Sequence, residues 1–109
     1  MSCAPAPPQS SGVGPTPRVT RLSEAVPNPA HGAAELRLAL AASGPVEVAV
    51  FSVDGRRVRT LARGWRMAGE TTLTWDGRDD EGHDTGSGVY LVRLAAGGTR
   101  QVRRVVRVR

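Results

Sequence analysis

The chain has 109 residues, 15 basic and 10 acidic side chains, and a formal charge of +5; that length suits one domain with a modest core. Cys3 is the only cysteine, which excludes an intrachain disulfide, and no apolar run approaches the roughly 18 residues of a membrane span. Every basic residue is Arg; with Ala, Gly and Pro also abundant, this fits a GC-rich coding sequence better than guanidinium forks built to grip phosphate or carboxylate.

In chain order, residues 1–17 hold five of the eight prolines, with Ser, Gly and Ala between them. Such a segment has too little apolar surface to fold and reads as an extended linker. It also lacks the apolar centre of a secretory signal. A linker there implies a domain before it, so the sequence is expected to be the tail of a longer protein, with its folded domain over 18–109.

From Arg18 the pattern becomes short alternating segments. Val19–Val26 is an expected first strand, ended by Pro27 and Pro29. Ala34–Leu40 sets Leu36, Leu38 and Leu40 on one face and Glu35 and Arg37 on the other; Pro45–Val53 does the same with Val46, Val48 and Val50. Period two of this kind marks half-buried strands. Asp54-Gly55 then predicts a type I′ hairpin turn into Arg56–Leu61, because both central positions of that turn need positive φ. Glu70–Trp75 and Gly88–Leu94 alternate again. Gly97-Gly98 marks another tight hairpin, and Thr99–Val108 forms a last strand. The expectation is all-β: an immunoglobulin-like antiparallel β-sandwich of about seven strands. Leu36, Leu38, Val48, Val50, Leu73, Trp75, Tyr90, Val92 and Val106 are its expected core.

Between two of these strands, Asp76 to Asp84 gathers five carboxylates and His83 into nine residues. An EF-hand would need Gly at position six of D-x-[DN]-x-[DN]-G; taking Gly82 or Gly77 as that glycine puts Gly77 or Thr72 at position one, so neither register works. A different calcium site would need Asp76, Asp79, Asp80 and Asp84 to converge. Zinc is disfavoured with one imidazole and no thiolate nearby. Catalysis by paired carboxylates needs a cleft that raises one pKa, and a Gly-rich connection leaves them solvated. A turn explains more residues. Trp75 buries its ring, Asp76 accepts backbone N–H groups beyond it, and Gly77 and Gly82 take positive φ. No catalytic residue, metal or cofactor is expected.

The stretch "WDGRDDEGHDTGSGVYLVRL" resembles the signature of the immunoglobulin-like domain of the flagellar hook-capping protein. The matching positions are Trp75, Asp76, Gly77, Arg78, Asp79, Gly82, Ser87, Gly88, Val89 and Tyr90. Upstream, Pro27, Asn28 and Pro29 are similar to the family's Pro-Asn-Pro entry to its second strand. Asp54, Gly55, Arg56, Val58, Leu61 and Gly69 resemble its central hairpin. The resemblance covers about residues 22–108. Similar modules end many secreted bacterial proteins, including sorting domains read by the type IX secretion system, although the Trp-Asp-Gly-Arg-Asp loop is closer to the hook-cap branch.

The resemblance implies a non-enzymatic C-terminal module of a secreted or cell-surface protein, for sorting, anchoring or assembly, with a secretion or assembly machinery protein as partner. The alternative it implies is a scaffold domain of a hook-assembly protein. Arg100, Arg103, Arg104, Arg107 and Arg109 on the last strand are the expected partner contacts. Nucleic-acid binding is not expected, because aromatic stacking residues are scarce and Trp75 and Tyr90 are wanted in the core.

Overall fold

Strands form wherever the alternation lets one face be buried, and seven result: β1 (Arg21–Leu22), β2 (Ala34–Leu40), β3 (Gly44–Ser52), β4 (Arg57–Arg66), β5 (Gly69–Trp75), β6 (Gly88–Ala96) and β7 (Thr99–Arg107). The computed structural model describes residues 17–108; apart from Pro17, the linker expected over 1–17 lies outside them, as does Arg109. The strands make two antiparallel sheets, β1-β2-β5 and β4-β3-β6-β7. Leu36, Leu38 and Leu40 of β2 and Leu73 and Trp75 of β5 meet Val46, Val48, Val50, Tyr90, Val92, Leu94 and Val105 in one buried cluster. This is the face-to-face layering expected of two half-apolar sheets.

Two crossings carry the chain between sheets at one corner. Ala41–Ser43 takes β2 into β3, and Met67-Ala68 takes β4 into β5. The Ala68 N–H donates to Ser43 Oγ at 2.9 Å and ties them together. Gly97 and Gly98, both at positive φ, close the β6–β7 hairpin directly between Ala96 and Thr99.

Four expectations need correction. The first strand shrinks to Arg21–Leu22, and Val26 rejoins β2 only as an isolated bridge to Glu35. β4 runs to Arg66 rather than Leu61; register shifts within β3–β4 at Val48/Ala49 and Val50/Phe51 break the alternation that would have revealed its length. The β3–β4 turn is not type I′. The Gly55 N–H donates to Ser52 O at 3.0 Å and the Ser52 N–H to Arg56 O at 2.9 Å. Val53 and Asp54 are therefore the central turn residues, with Gly55 at φ +91° after them, a three-residue loop with a glycine bulge.

Finally, β7 has the opposite phase. Val105 lies beside Tyr90 in the core, whereas Val106 pairs with Val89 and is only half-buried. Gln101, Arg103 and Arg107 share the inner face with Val105. Three polar side chains at inward positions make the strand's outer face look like its inner one.

Candidate functional site

The loop from Asp76 to Ser87 is built on three large side chains. Trp75, at the end of β5, meets Tyr90 of β6 edge-on, with centroids 5.1 Å apart and planes at 66°. The Arg107 guanidinium of β7 lies 5.4 Å from the Trp75 ring centroid. Each of the three reaches loop backbone or an adjacent carbonyl. Trp75 Nε1 donates to Arg78 O at 2.9 Å. The Tyr90 hydroxyl donates to Thr85 O at 2.5 Å and also reaches Gly86 O at 3.2 Å. Arg107 Nη1 donates to Gly32 O at 2.8 Å, and its Nη2 lies 3.7 Å from Asp84 Oδ1. Burying the polar ends of such rings is tolerable because each finds a partner.

Each aspartate of the loop accepts a backbone N–H, while the Glu81 carboxylate stays exposed, 3.6 Å from His83 Nδ1. Asp76 Oδ1 accepts the Arg78 N–H at 3.0 Å, an Asx-turn that also meets Arg59 Nη1 at 3.3 Å. Asp79 Oδ1 accepts the N–H groups of Glu81 at 2.9 Å and His83 at 2.8 Å. These bonds favour the ionised form: the His83 N–H, above all, holds the Asp79 carboxyl below the usual carboxylate range. A general acid would need the reverse shift. Asp80 Oδ1 accepts the Thr60 N–H at 3.1 Å while its own N–H donates to Val58 O at 2.9 Å. Asp80 thus covers the outer edge of β4. Asp84 accepts from the Gly86 N–H at 2.7 Å.

Asp76 and Asp80 share the Arg59 guanidinium, at 3.3 Å and 3.9 Å, while Asp79 and Asp84 hold N–H groups of the loop. Among the described residues, Asp79, Glu81 and His83 do bring one ligand atom each within 4.8 Å. All three are at least partly exposed, and one Asp79 oxygen already accepts two N–H groups.

Gly77 and Gly82 take positive φ, +84° and +88°. At Gly77 a second demand is added: a Cβ would stand 2.1 Å from Arg107 Nη1. Arg78 Nη1 reaches Gly82 O at 2.9 Å and closes the tip of the loop. Gly88, at φ +147°, lets the chain re-enter the sheet two residues before Tyr90. In the other hairpin, Ser52 Oγ donates to the Asp54 carboxylate, which lowers its pKa.

Pro27-Asn28-Pro29 covers the free edge of β7. Asn28 Nδ2 donates to Arg104 O at 3.0 Å, and Asn28 Oδ1 accepts the Val106 N–H at 2.9 Å. Ala30 continues the pairing, donating to Val106 O at 2.7 Å and accepting from the Val108 N–H at 3.0 Å. From Arg104 to Val108 the edge is already occupied, so strand addition by a partner is blocked there.

The arginines expected as one contact group are divided between two faces. Arg100 and Arg104 lie on the exposed outer face of β7. Arg103 turns inward and donates from Nε to Leu22 O at 2.7 Å. Arg107 is 6% exposed and unavailable as a contact; Arg109 is outside the described residues. The sequence reading missed Arg59, whose guanidinium joins β4 to the loop at Asp76 and Asp79 O. No spacing rule signals that contact. The inward turn of Arg107 was discoverable, since it follows once Val105 is assigned to the core.

Comparison with known proteins adds to this geometry. The family described as the FlgD Ig-like domain matches residues 24–99. Over 59 residues the chain is 41% identical to the basal-body rod modification protein FlgD of Salmonella typhimurium, a match that takes in 52% of this chain and 25% of that protein. The chain thus spans only about a quarter of that relative's length. Dimeric latent PorU from Porphyromonas gingivalis shares the fold at TM-score 0.63 and 21% identity, over 91% of this chain and 10% of PorU. PorZ of the same organism, a surface component of the type-IX secretion system, does so at TM-score 0.51 and 22% identity, over 91% of this chain and 13% of PorZ.

Proposed function

Because the chain belongs to the family of FlgD Ig-like domains, we propose that it is a non-enzymatic recognition module of a larger extracytoplasmic bacterial protein, serving that protein's sorting, anchoring or assembly. The observation that carries this reading is the use of the acidic loop. Its aspartates hold backbone N–H groups and arginines of the same domain, which leaves the sheet surfaces as what a partner can read. In this reading residues 1–17 tether the sandwich to an upstream domain, and the partner is a protein of the secretion or assembly machinery. The fold shared with PorU and PorZ favours a sorting role at the cell surface.

A second reading is favoured by a different observation. The 41% identity to Salmonella FlgD over 59 residues supports a scaffold role in flagellar hook assembly. One experiment separates the two. The full chain is fused behind a signal peptide and reporter in a host with a type-IX system, and in parallel replaces the matching segment of Salmonella FlgD. Reporter at the cell surface supports sorting; restored swimming supports the hook scaffold. Failure of both, with the fusions folded and present, overturns the module reading.

A further inference from the structure

The two outer faces of the sandwich differ in chemistry. On the three-stranded sheet, Glu35, Arg37, Glu70, Thr72 and Thr74 face out, small and polar with both signs of charge. The four-stranded sheet is unlike this. Its register aligns Arg57, Phe51, Leu91 and Arg104 in one row across all four strands. Arg93 lies beside Val102 in the next row, and Arg63 and Arg100 flank Glu47 and Ala95 in the row beyond.

Glu47 is the only carboxylate anywhere on β3, β4, β6 and β7, and Arg57 already meets it at 3.1 Å. Arg93, Arg100 and Arg104 face outward with no carboxylate opposite them in the sheet, and the one across from Arg63 is the carboxylate that Arg57 holds. Between them lie apolar side chains and the one carboxylate, Glu47. Val102 is 50% exposed, Leu91 and Phe51 are half-buried, and a depression of about 310 Å³ is lined by Ala49, Phe51 and Val102 together with Arg93, Arg100 and Glu47. Exposed apolar positions among so many cations and a single carboxylate are unusual on a face that meets only water.

We infer that the outer face of the β4-β3-β6-β7 sheet is the docking surface of this domain, and that its partner is a protein segment rich in Asp and Glu with apolar side chains between them. The charge selects an acidic partner and steers its approach; the aliphatic rows give it something to bury. A nucleic acid fits less well. Base stacking needs successive open aromatic rings; this face has one, Trp65 at 68% exposed near its β4 edge, while Arg93 covers the Phe51 ring at 4.4 Å from its centroid. Strand addition along residues 104–108 of β7 is closed off by Asn28 and Ala30, so this part of the sheet is read through its face. The inference rests on the reading of the domain as a recognition module.

The test is fluorescence anisotropy on the full 109-residue chain with three labelled probes: a peptide of four Glu-Glu-Leu repeats, its Gln-Gln-Leu counterpart, and a single-stranded DNA of similar length. The acidic peptide should bind at least about fivefold more tightly than either other probe, and weaken between about 50 and about 300 mM salt. Arg100→Ser with Arg104→Ser should weaken it about fivefold or more at unchanged Tm, while Arg37→Ser on the opposite sheet should not. Equal binding of the Gln peptide, tighter binding of the DNA, no binding of the acidic peptide, or indifference to the double substitution would each overturn the inference. These readouts concern the face alone, so they fail separately from surface export or swimming, which report on the module reading.

Discussion

Arg107 and Gly77 are fitted to each other: the buried guanidinium lies where a Cβ on Gly77 would stand, 2.1 Å from Nη1. The contact joins the last strand to the start of the acidic loop, and it explains why a glycine follows Asp76. Gly77→Ala should cost about 2–3 kcal/mol: roughly 1 from the positive φ and the rest from displacing a buried guanidinium. In urea denaturation, combining it with Arg107→Ala should cost less than the two single losses added together. Strict additivity would show that the two residues do not share the space.

Asp76→Ala should cost about 1 kcal/mol, since it removes the acceptor of the Arg78 N–H and one partner of Arg59 from a partly exposed site. Arg59→Ala should cost less in the Asp76→Ala background than in the parent. A double-mutant cycle from denaturation midpoints measures this.

How much of this was legible depends on whether the signal was local. Trp75, Tyr90 and the β2 and β3 valines and leucines follow from alternation within single strands. The Asx role of Asp76 follows from a carboxylate preceding a glycine. The phase of β7 did not follow, because Gln101, Arg103 and Arg107 occupy inward positions that alternation assigns to solvent. Each is accommodated by something distant in sequence: the Leu22 backbone for Gln101 and Arg103, and Trp75 and Gly32 O for Arg107. The Asn28 bonds to β7 span 76 and 78 positions and leave no trace in local spacing.

Asn28→Ala should cost about 1–2 kcal/mol through two lost bonds to β7. It should also speed hydrogen exchange at the Val106 amide and increase self-association, because an edge strand becomes free. Asn28→Asp keeps the acceptor for that amide but not the donor to Arg104 O, so its stability should fall between the two. Unchanged exchange at Val106 in the Ala variant would contradict the edge-cover role.

The Asp79 carboxyl is held below the usual carboxylate range, above all by the His83 N–H. A lowered folded pKa means that the unfolded chain takes up the proton first on acidification. The stabilisation from Asp79 is therefore full above the unfolded value and is lost as pH falls through the folded one. Asp79→Asn should flatten the acid limb of the stability–pH curve below about pH 4. An unaltered acid limb in that variant would contradict the assignment.

The acidic loop is a structural clasp whose aspartates are already engaged by the domain's own donors. Thermal unfolding of the full chain with and without millimolar calcium tests it most directly. A bound ion at about 100 times its Kd would add about 2.7 kcal/mol, or on the order of 10 °C in a domain of this size. The clasp predicts a shift of no more than about 2 °C, within the effect of screening alone. A rise of about 10 °C that a chelator reverses would contradict it and make the loop a metal site.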